Sequence, residues 1–542
     1  MIPTRAGFLA LLAAVGVGCG GTLPEPDAGD VDAGSADAGA VGDAGLDSGS
    51  PADAGLDAGS VGDAGPRLLL PGDVSEVTVV QGAAATVLLT PGGAEKFVVM
   101  LSSNVFQASG PSFDYAVRLD GGPGDTGSRL VTGCSLGVEP WRSTGVPAET
   151  PPSGTAVAQG ATRTLKIQTT AGFETVAVQA VAVGAIAVVW ADVSAAHPAN
   201  LDAAFVTQFL ADFETKIVPR ERTLFGVESD LDLDGHIGLV FSPLTYQTAV
   251  AFFTQCDLQL AAGCPASNAG EYLYLTPPAT IPPPYNTANA IKEILTHECS
   301  HLIHFNRKVL RNALTGWADS AYLDEGIGGF AQDAVGPQAG NLYVAKAGLD
   351  SINLFSLGDT LQDGAPYAGS RDGAMRGGSY LFVRYLYDRA GGDRENADGS
   401  LTGQGGPAFL RALLESKVSV AQALPALAMV PREDLATDFF TALALSNREK
   451  GGGVAPANSC FAYLPTTVDS LWNRQRGANL FATFTLQMTG PAMQPASAAD
   501  GKLRAGGVEY LTVDAVAGKS SLNLSLSVDP AALARVRIGR LK

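Results

Sequence analysis

The sequence predicts a multidomain chain in which an α+β domain, residues 196–450, is flanked by N-terminal (67–195) and C-terminal (451–542) β-sandwich-like modules. Three observations point there. The chain is 542 residues long, 46% hydrophobic and 16% charged, enough for several buried cores. Residues 67–195 carry short runs rich in Val, Leu and Thr (EVTVVQG, KFVVMLSS, TLKIQTTAG, ETVAVQAVAVGAIAVVW), punctuated by Gly, Pro, Ser and Asn, as antiparallel strands are. The same texture returns near the end in VEYLTVDAV, SLNLSLSVD and RVRIGRLK.

In the middle the period changes. Apolar residues recur at spacings of three and four in Leu201 to Ile217, Ala288 to Phe305, Ala318 to Ala334, Gly377 to Arg389, Ala408 to Leu414 and Asp434 to Leu445, which predicts helices. Two runs between them, IGLVFSPL from Ile237 and EYLYLTPP from Glu271, read as strands.

Residues 1–18 carry one positive charge, Arg5, an apolar run from Ala6 to Val17, and small residues before Cys19. This resembles a bacterial lipoprotein signal, which implies export and a lipid anchor at Cys19, to the outer membrane or the cell surface. Gly16 stands where such signals carry Leu, so ordinary secretion is the alternative. Seven Asp-Ala-Gly triplets follow between Asp27 and Gly65, with little large apolar surface to offset the entropy of ordering them. Residues 19–66 are therefore expected to form a disordered linker.

The formal charge of -19 arises from 35 Lys and Arg against 54 Asp and Glu. Residues 22–66 hold Glu25 and nine Asp with no base, so about half of the excess lies in the linker. Nucleic-acid binding needs a basic surface and is excluded on this balance. Of six cysteines, five remain beyond Cys19. Cys256 and Cys264 lie eight apart in a turn-rich stretch and are expected to pair, while a Cys134–Cys460 bridge is a weaker expectation.

Three of the five histidines fall in Thr296-His297-Glu298-Cys299-Ser300-His301-Leu302-Ile303-His304-Phe305. A His-Glu-x-x-His string would arise by chance roughly once or twice per thousand chains of this composition. Its helix is expected to start after a cap at Asn286 or Thr287. Residues four apart on a helix project from one face about 6 Å apart, so His297 and His301 can hold one metal ion. Zinc suits nitrogen and oxygen donors, and with three protein ligands it keeps a place for water. Glu298 is the candidate general base for that water. His304 lies about 10 Å up the axis from His297. It is a poor third ligand and is left to supporting the site, contacting substrate, or packing the helix end. Cys299 points away from the motif face and reads as a buried apolar filler.

The third ligand is sought elsewhere. A metzincin would place a histidine at position 307, which is Arg307. The better candidate is Glu325, in a second helical stretch 24 residues beyond His301. HECSHLIHFN followed by YLDEGIGGFAQD resembles the hyicolysin-type gluzincin metallopeptidases. The likeness runs from about Phe225 to Asn447, through FGVESDLDLDGHIGLVF, ASNAGEYLYL and GGSYLFVRYLYDRAGG. It departs from the family at Tyr322, where Trp is usual, and at Asp324, where Asn is usual.

The resemblance implies a zincin-like fold for residues 196–450, with His297, His301 and Glu325 as zinc ligands and Glu298 as base. The implied function is that of an exported zinc-dependent endopeptidase acting on proteins or peptides. Two other readings stand beside it: a catalytically inactive surface adhesion or scaffold protein, and an aminopeptidase. Tyr380 is a candidate donor to the tetrahedral oxyanion, with helix packing as its alternative. Asp324 is a candidate partner of a ligand histidine, or a solvated helix acid. Asp230, Asp232 and Asp234 open like a calcium loop, but Phe241 occupies the twelfth position, so an EF-hand is excluded. A short acidic turn or an irregular Ca2+ site is expected there.

Overall fold

The computed structural model describes residues 66–542 except 79–83, 91–92, 108–109, 120–126, 134–140, 142–143, 156, 260–262, 284–285, 315–320, 339, 359–369, 482–487, 497–498 and 516–517. The expected signal segment, Cys19 and nearly all of the expected linker lie outside the described residues. Within them the chain is multidomain and mixes several sheets with helices.

The helical domain is built on a six-stranded sheet. Its strands are β1 (Thr162–Thr169), β2 (Gly172–Val183), β3 (Ala187–Asp192), β4 (Ile237–Phe241), β5 (Ala251–Phe253) and β6 (Tyr272–Leu275). They lie in the order β5-β6-β4-β3-β2-β1. The three central strands β6, β4 and β3 are parallel, and the outer ones pair antiparallel. Every residue of β3 and β4 is buried, which explains why AVVWAD and IGLVF read as continuous rather than alternating apolar runs. β5 is an edge strand.

β1 to β3 correct the sequence-based boundary at residue 195. The alternation of Thr, Val and Leu identified them as strands and assigned them to the N-terminal module. β3 instead pairs in parallel with β4, across a helical crossover, and so belongs to the helical domain. Parallel pairing requires such a crossover, and a strand pattern carries no record of its partner.

The helices are α1 (Ala203–Asp212), α2 (Val218–Leu224), α3 (Ala288–Phe305), α4 (Ala321–Val335), α5 (Asn341–Asp350), α6 (Ser370–Arg389), α7 (Gly406–Glu415), α8 (Val420–Ala428) and α9 (Arg432–Leu445). A π-helical turn, Phe213–Ile217, joins α1 to α2. The Asp202 side chain caps α1 by accepting from Phe205 N. α2, α5 and α8 were not foreseen. Pro425 lies inside α8, where it argues against a helix; a Ser419–Gln422 capping box offsets it at the N-terminus. One core joins the sheet to the helices, with Phe209, Phe213, Leu239, Phe241, Ile291, Leu295, Leu302, Phe330 and Leu386 among its members.

The two terminal β modules are a single sandwich. Strand Lys96–Ser102 lies between Val508–Asp514 and Arg535–Arg540, antiparallel to both. In the facing sheet, Ser521–Val528 lies between Ala84–Leu88 and Ser112–Leu119. The expectation of separate N-terminal and C-terminal modules is thus corrected. Period-2 alternation shows which face of a strand is apolar, and pairing partners more than 400 residues apart leave no local trace.

Strand Lys96–Ser102 is buried on both faces. Phe97, Val99 and Leu101 point into the sandwich core, whereas Val98 and Met100 join the core of the helical domain. The contact is sealed by Tyr510 OH, which donates to Phe440 O on α9 at 2.7 Å. Arg537 also bridges there, to Asp438 Oδ1 at 2.7 Å and to Glu76 Oε2 at 3.0 Å. Cys256 and Cys264 form the expected disulfide, with a Cα–Cα distance of 5.6 Å. Cys460 is also disulfide-bonded, and Cys134 of the other expected bridge lies outside the described residues.

Expressed alone, residues 67–195 should show no cooperative thermal unfolding by circular dichroism, because strand 96–102 loses both neighbours and β3 its parallel partner. A sharp melt of that fragment would mean that the N-terminal segment is self-sufficient.

Candidate metal centre

α3 begins where the Thr287 side chain accepts from Ala290 N at 3.2 Å, one of the two caps expected. Ile291, Leu295, Cys299 and Leu302 enter the core and fix the rotation of the helix. The opposite face carries His297 and His301, with ring centroids 4.6 Å apart. α4 packs against α3 and brings Glu325 Oε2 to 3.3 Å from His297 Nε2. One donor atom from each of His297, His301 and Glu325 lies within 4.8 Å of the others. All three residues are buried.

This approach depends on a missing side chain. A Cβ on Gly328 would stand 2.5 Å from His297 Cε1 and 2.6 Å from both ring nitrogens. Glycine there lets the α4 backbone lie against the imidazole, which accounts for one glycine of the Glu-Gly-Ile-Gly-Gly run.

The donors fit a divalent ion. Two imidazole nitrogens and a carboxylate oxygen are a zinc-type set. His297 Nε2 is buried and makes no hydrogen bond, although it faces Glu325 Oε2. A buried polar atom without a partner costs about 1–3 kcal/mol, which a bound cation would relieve.

Asp324 is no solvated acid. It is fully buried, and its Oδ1 faces His301 Nδ1 at 3.0 Å and His304 Nδ1 at 2.9 Å. Burial opposes its ionisation, but His301 and then His304 hold its carboxyl far below the usual range. Asp324 therefore presents a carboxylate to Nδ1 of His301, which leaves Nε2 as the nitrogen able to hold an ion. His304 joins the centre through Asp324 and is not a member of the converging trio.

Glu298 Oε2 accepts from Phe253 N on β5 at 3.0 Å, while its Oε1 is buried without a hydrogen-bond partner. Burial raises its carboxyl pKa against the pull of His297 and His301. Burial would also raise Glu325, but Arg376 first, and then the two histidines, bring it down to about 2. Arg376 Nη1 donates to Glu325 Oε2 at 3.0 Å.

Arg376 and Tyr380 are one turn apart on α6, and the helix register separates their roles. α4 and α6 run in the same direction. Arg376 meets Glu325 at 3.0 Å, Tyr380 lies beside Gly329, and Arg384 meets Asp333 at 3.2 Å. Tyr380 thus stands one turn, about 6 Å, past the level of Glu325. It is 1% exposed, and the charged groups acting on its hydroxyl are Asp333, Arg384 and Asp388. Its ring packs between helices, as the alternative foreseen for it has it, and its hydroxyl is buried without a hydrogen-bond partner.

Arg376, Gly328 and Phe253 escaped the sequence reading. The only signal for Arg376 was a base set among glycines in GAMRGG. Phe253 acts through its backbone and left none. Glu221 on α2 was also unforeseen: it is fully buried, neither oxygen has a hydrogen-bond partner, and burial pushes its pKa well up against the pull of His301. Cys299 is a buried free thiol, as its helical position suggested.

The acidic turn closes on itself. Asp230 Oδ1 accepts from Gly235 N at 3.0 Å, and Asp234 Oδ1 accepts from His236 N at 2.8 Å. Arg163 lies 3.7 Å from Asp232 and 3.6 Å from Asp234. Glu271, absent from the sequence-based set, approaches Asp230 and Asp232 and accepts from Leu231 N.

Compared with protein-family models and with curated proteins, the chain matches none.

Two substitutions check the geometry. Gly328→Ala should weaken zinc binding about 10–100-fold, measured by chelator competition, with helix content unchanged. Undiminished affinity would show that the His297 ring has room to move. Asp324→Ala should weaken zinc binding by a similar factor, and an unaltered constant would remove Asp324 from the support of His301.

Proposed function

We propose that this chain is a zinc-dependent endopeptidase of the hyicolysin-type gluzincin kind, with a zincin-like domain. The observation that carries the reading is the convergence of His297, His301 and Glu325 beside a carboxylate, Glu298, that a purely structural ion would not need. His297, His301 and Glu325 would hold the zinc. A zinc ion bound there supplies Lewis acidity towards a carbonyl and lowers the pKa of water towards about 7.

The chain's own residues do the rest. Phe253 N fixes one oxygen of Glu298, so the other is aimed without a competing hydrogen bond. Its raised pKa suits a group that must take a proton from water and then give it to the leaving amine. Asp324 holds His301 in one orientation, and His304 holds Asp324. β5 is an edge strand whose Phe253 touches the base, so an extended peptide laid along that edge would run past Glu298. The placement of Glu298 favours this reading over an inactive adhesion or scaffold protein.

The proposal includes export, with lipid at Cys19 or plain secretion. The Cys256–Cys264 disulfide is compatible with an oxidising compartment, and no helix among the described residues is long and apolar enough to cross a membrane.

Purified protein should hold one equivalent of zinc by elemental analysis and cleave casein. Glu298→Gln should keep the zinc and lose about 10²–10⁴-fold in kcat. Absence of stoichiometric zinc, or undiminished cleavage by the variant, would refute the assignment.

A further inference from the structure

Resting on the peptidase reading, we propose that Arg376 is a catalytic residue, whose guanidinium donates to the scissile carbonyl oxygen as negative charge gathers there.

Position is the first ground. Arg376 reaches the centre because α4 and α6 approach closely. A Cβ on Gly326 would stand 2.8 Å from Ser379 O, and one on Gly329 would stand 3.2 Å from Tyr380 Cβ. That contact sets the register in which Arg376 lies level with Glu325. Its side chain is 11% exposed and Nη1 is 3.0 Å from Glu325 Oε2, which in turn is 3.3 Å from His297 Nε2. Among the described residues no other lysine or arginine pairs with His297, His301 or Glu325.

The sign of the charge is the second ground. A guanidinium so close to a ligand oxygen opposes the binding of another cation, so it is the wrong charge for a residue whose work is to retain metal. It is the right charge for an oxyanion. Glu325 then serves two ends, offering oxygen to the ion and holding the planar donor fork of Arg376 beside it.

The step balances as a hydrolysis. The water oxygen bonds to the carbonyl carbon, the C=O π pair moves onto the carbonyl oxygen, and Glu298 takes the water proton. Arg376 donates to that oxygen while it is charged. The pair then re-forms C=O, the C–N bond breaks, and the proton passes from Glu298 to the departing nitrogen. Arg376 gives up no proton.

The test uses the whole exported chain with zinc, as wild type, Arg376→Ala and Arg376→Lys. Arg376→Ala should lower kcat about 10²–10³-fold with KM little changed, and Arg376→Lys should recover part of the loss. By chelator competition, zinc should bind Arg376→Ala at least as tightly as wild type. By calorimetry, a peptide phosphinate, whose tetrahedral anion imitates the charged oxygen, should bind Arg376→Ala more weakly, by a factor close to the loss in kcat/KM.

An unchanged kcat would overturn the proposal. So would a loss of activity that tracks weaker zinc binding and disappears at saturating zinc, because Arg376 would then only position Glu325. If wild type cleaves casein and Arg376→Ala cleaves equally well, this proposal alone fails; if wild type neither holds zinc nor cleaves, the peptidase reading falls with it.

Discussion

The closeness of three helix backbones governs this molecule. α4 lies against the His297 ring on one side and against α6 on the other, and both contacts exist because glycine stands at 328, 326 and 329. Larger side chains would hold the helices apart and take Glu325 away from the histidines. The cluster that results is buried, and charged or half-charged groups cannot stay buried without partners. Two imidazoles, a carboxylate partnered by Arg376 and a ring nitrogen without a hydrogen bond are a set that could hold a cation, and the same helix packing brings all of them together.

Charge is ordered around that place in a consistent way. Asp324 sits behind His301 and His304, Arg376 beside Glu325, and Phe253 N behind Glu298. His301, Glu325 and Glu298 are thus each held by a group on a different element. Ionised Glu325 and Asp324 both owe their state to neighbouring positive groups that outweigh burial. Glu298 differs, since burial dominates there and leaves a carboxylate more ready to accept a proton. The three carboxylates Glu298, Asp324 and Glu325 are thereby given distinct chemical characters by their surroundings.

The sandwich formed by the two chain ends bears on the helical domain through a strand that serves two cores. Val98 and Met100 pack outward while Phe97, Val99 and Leu101 pack inward. Arg537 joins Glu76 from near the N-terminus to Asp438 on α9. Because α9 and α6 share the aromatic cluster of Phe382, Tyr385 and Phe439, the sandwich is mechanically continuous with the helix that carries Arg376.

By itself the sequence determined the local features. The helix over Ala288–Phe305 with its Thr287 cap, the strands at Ile237 and Tyr272, the Cys256–Cys264 pairing and the candidate set His297, Glu298, His301 and Glu325 were all legible. All but Glu325 rest on short-range rules, such as a period of 3.6 or 2, a capping oxygen, close cysteine spacing or donors one helical turn apart, whereas Glu325, 24 residues beyond His301, was implied by a family resemblance. Tertiary structure alone decided the rest. It merged two β modules into one, moved β1 to β3 into the helical domain and brought Arg376 to Glu325. Those outcomes depend on which strands pair across hundreds of residues and on the register between α4 and α6. Both are set by packing of surfaces distant along the chain, and a shift of one helical turn exchanges one side chain for another with no change in the local pattern.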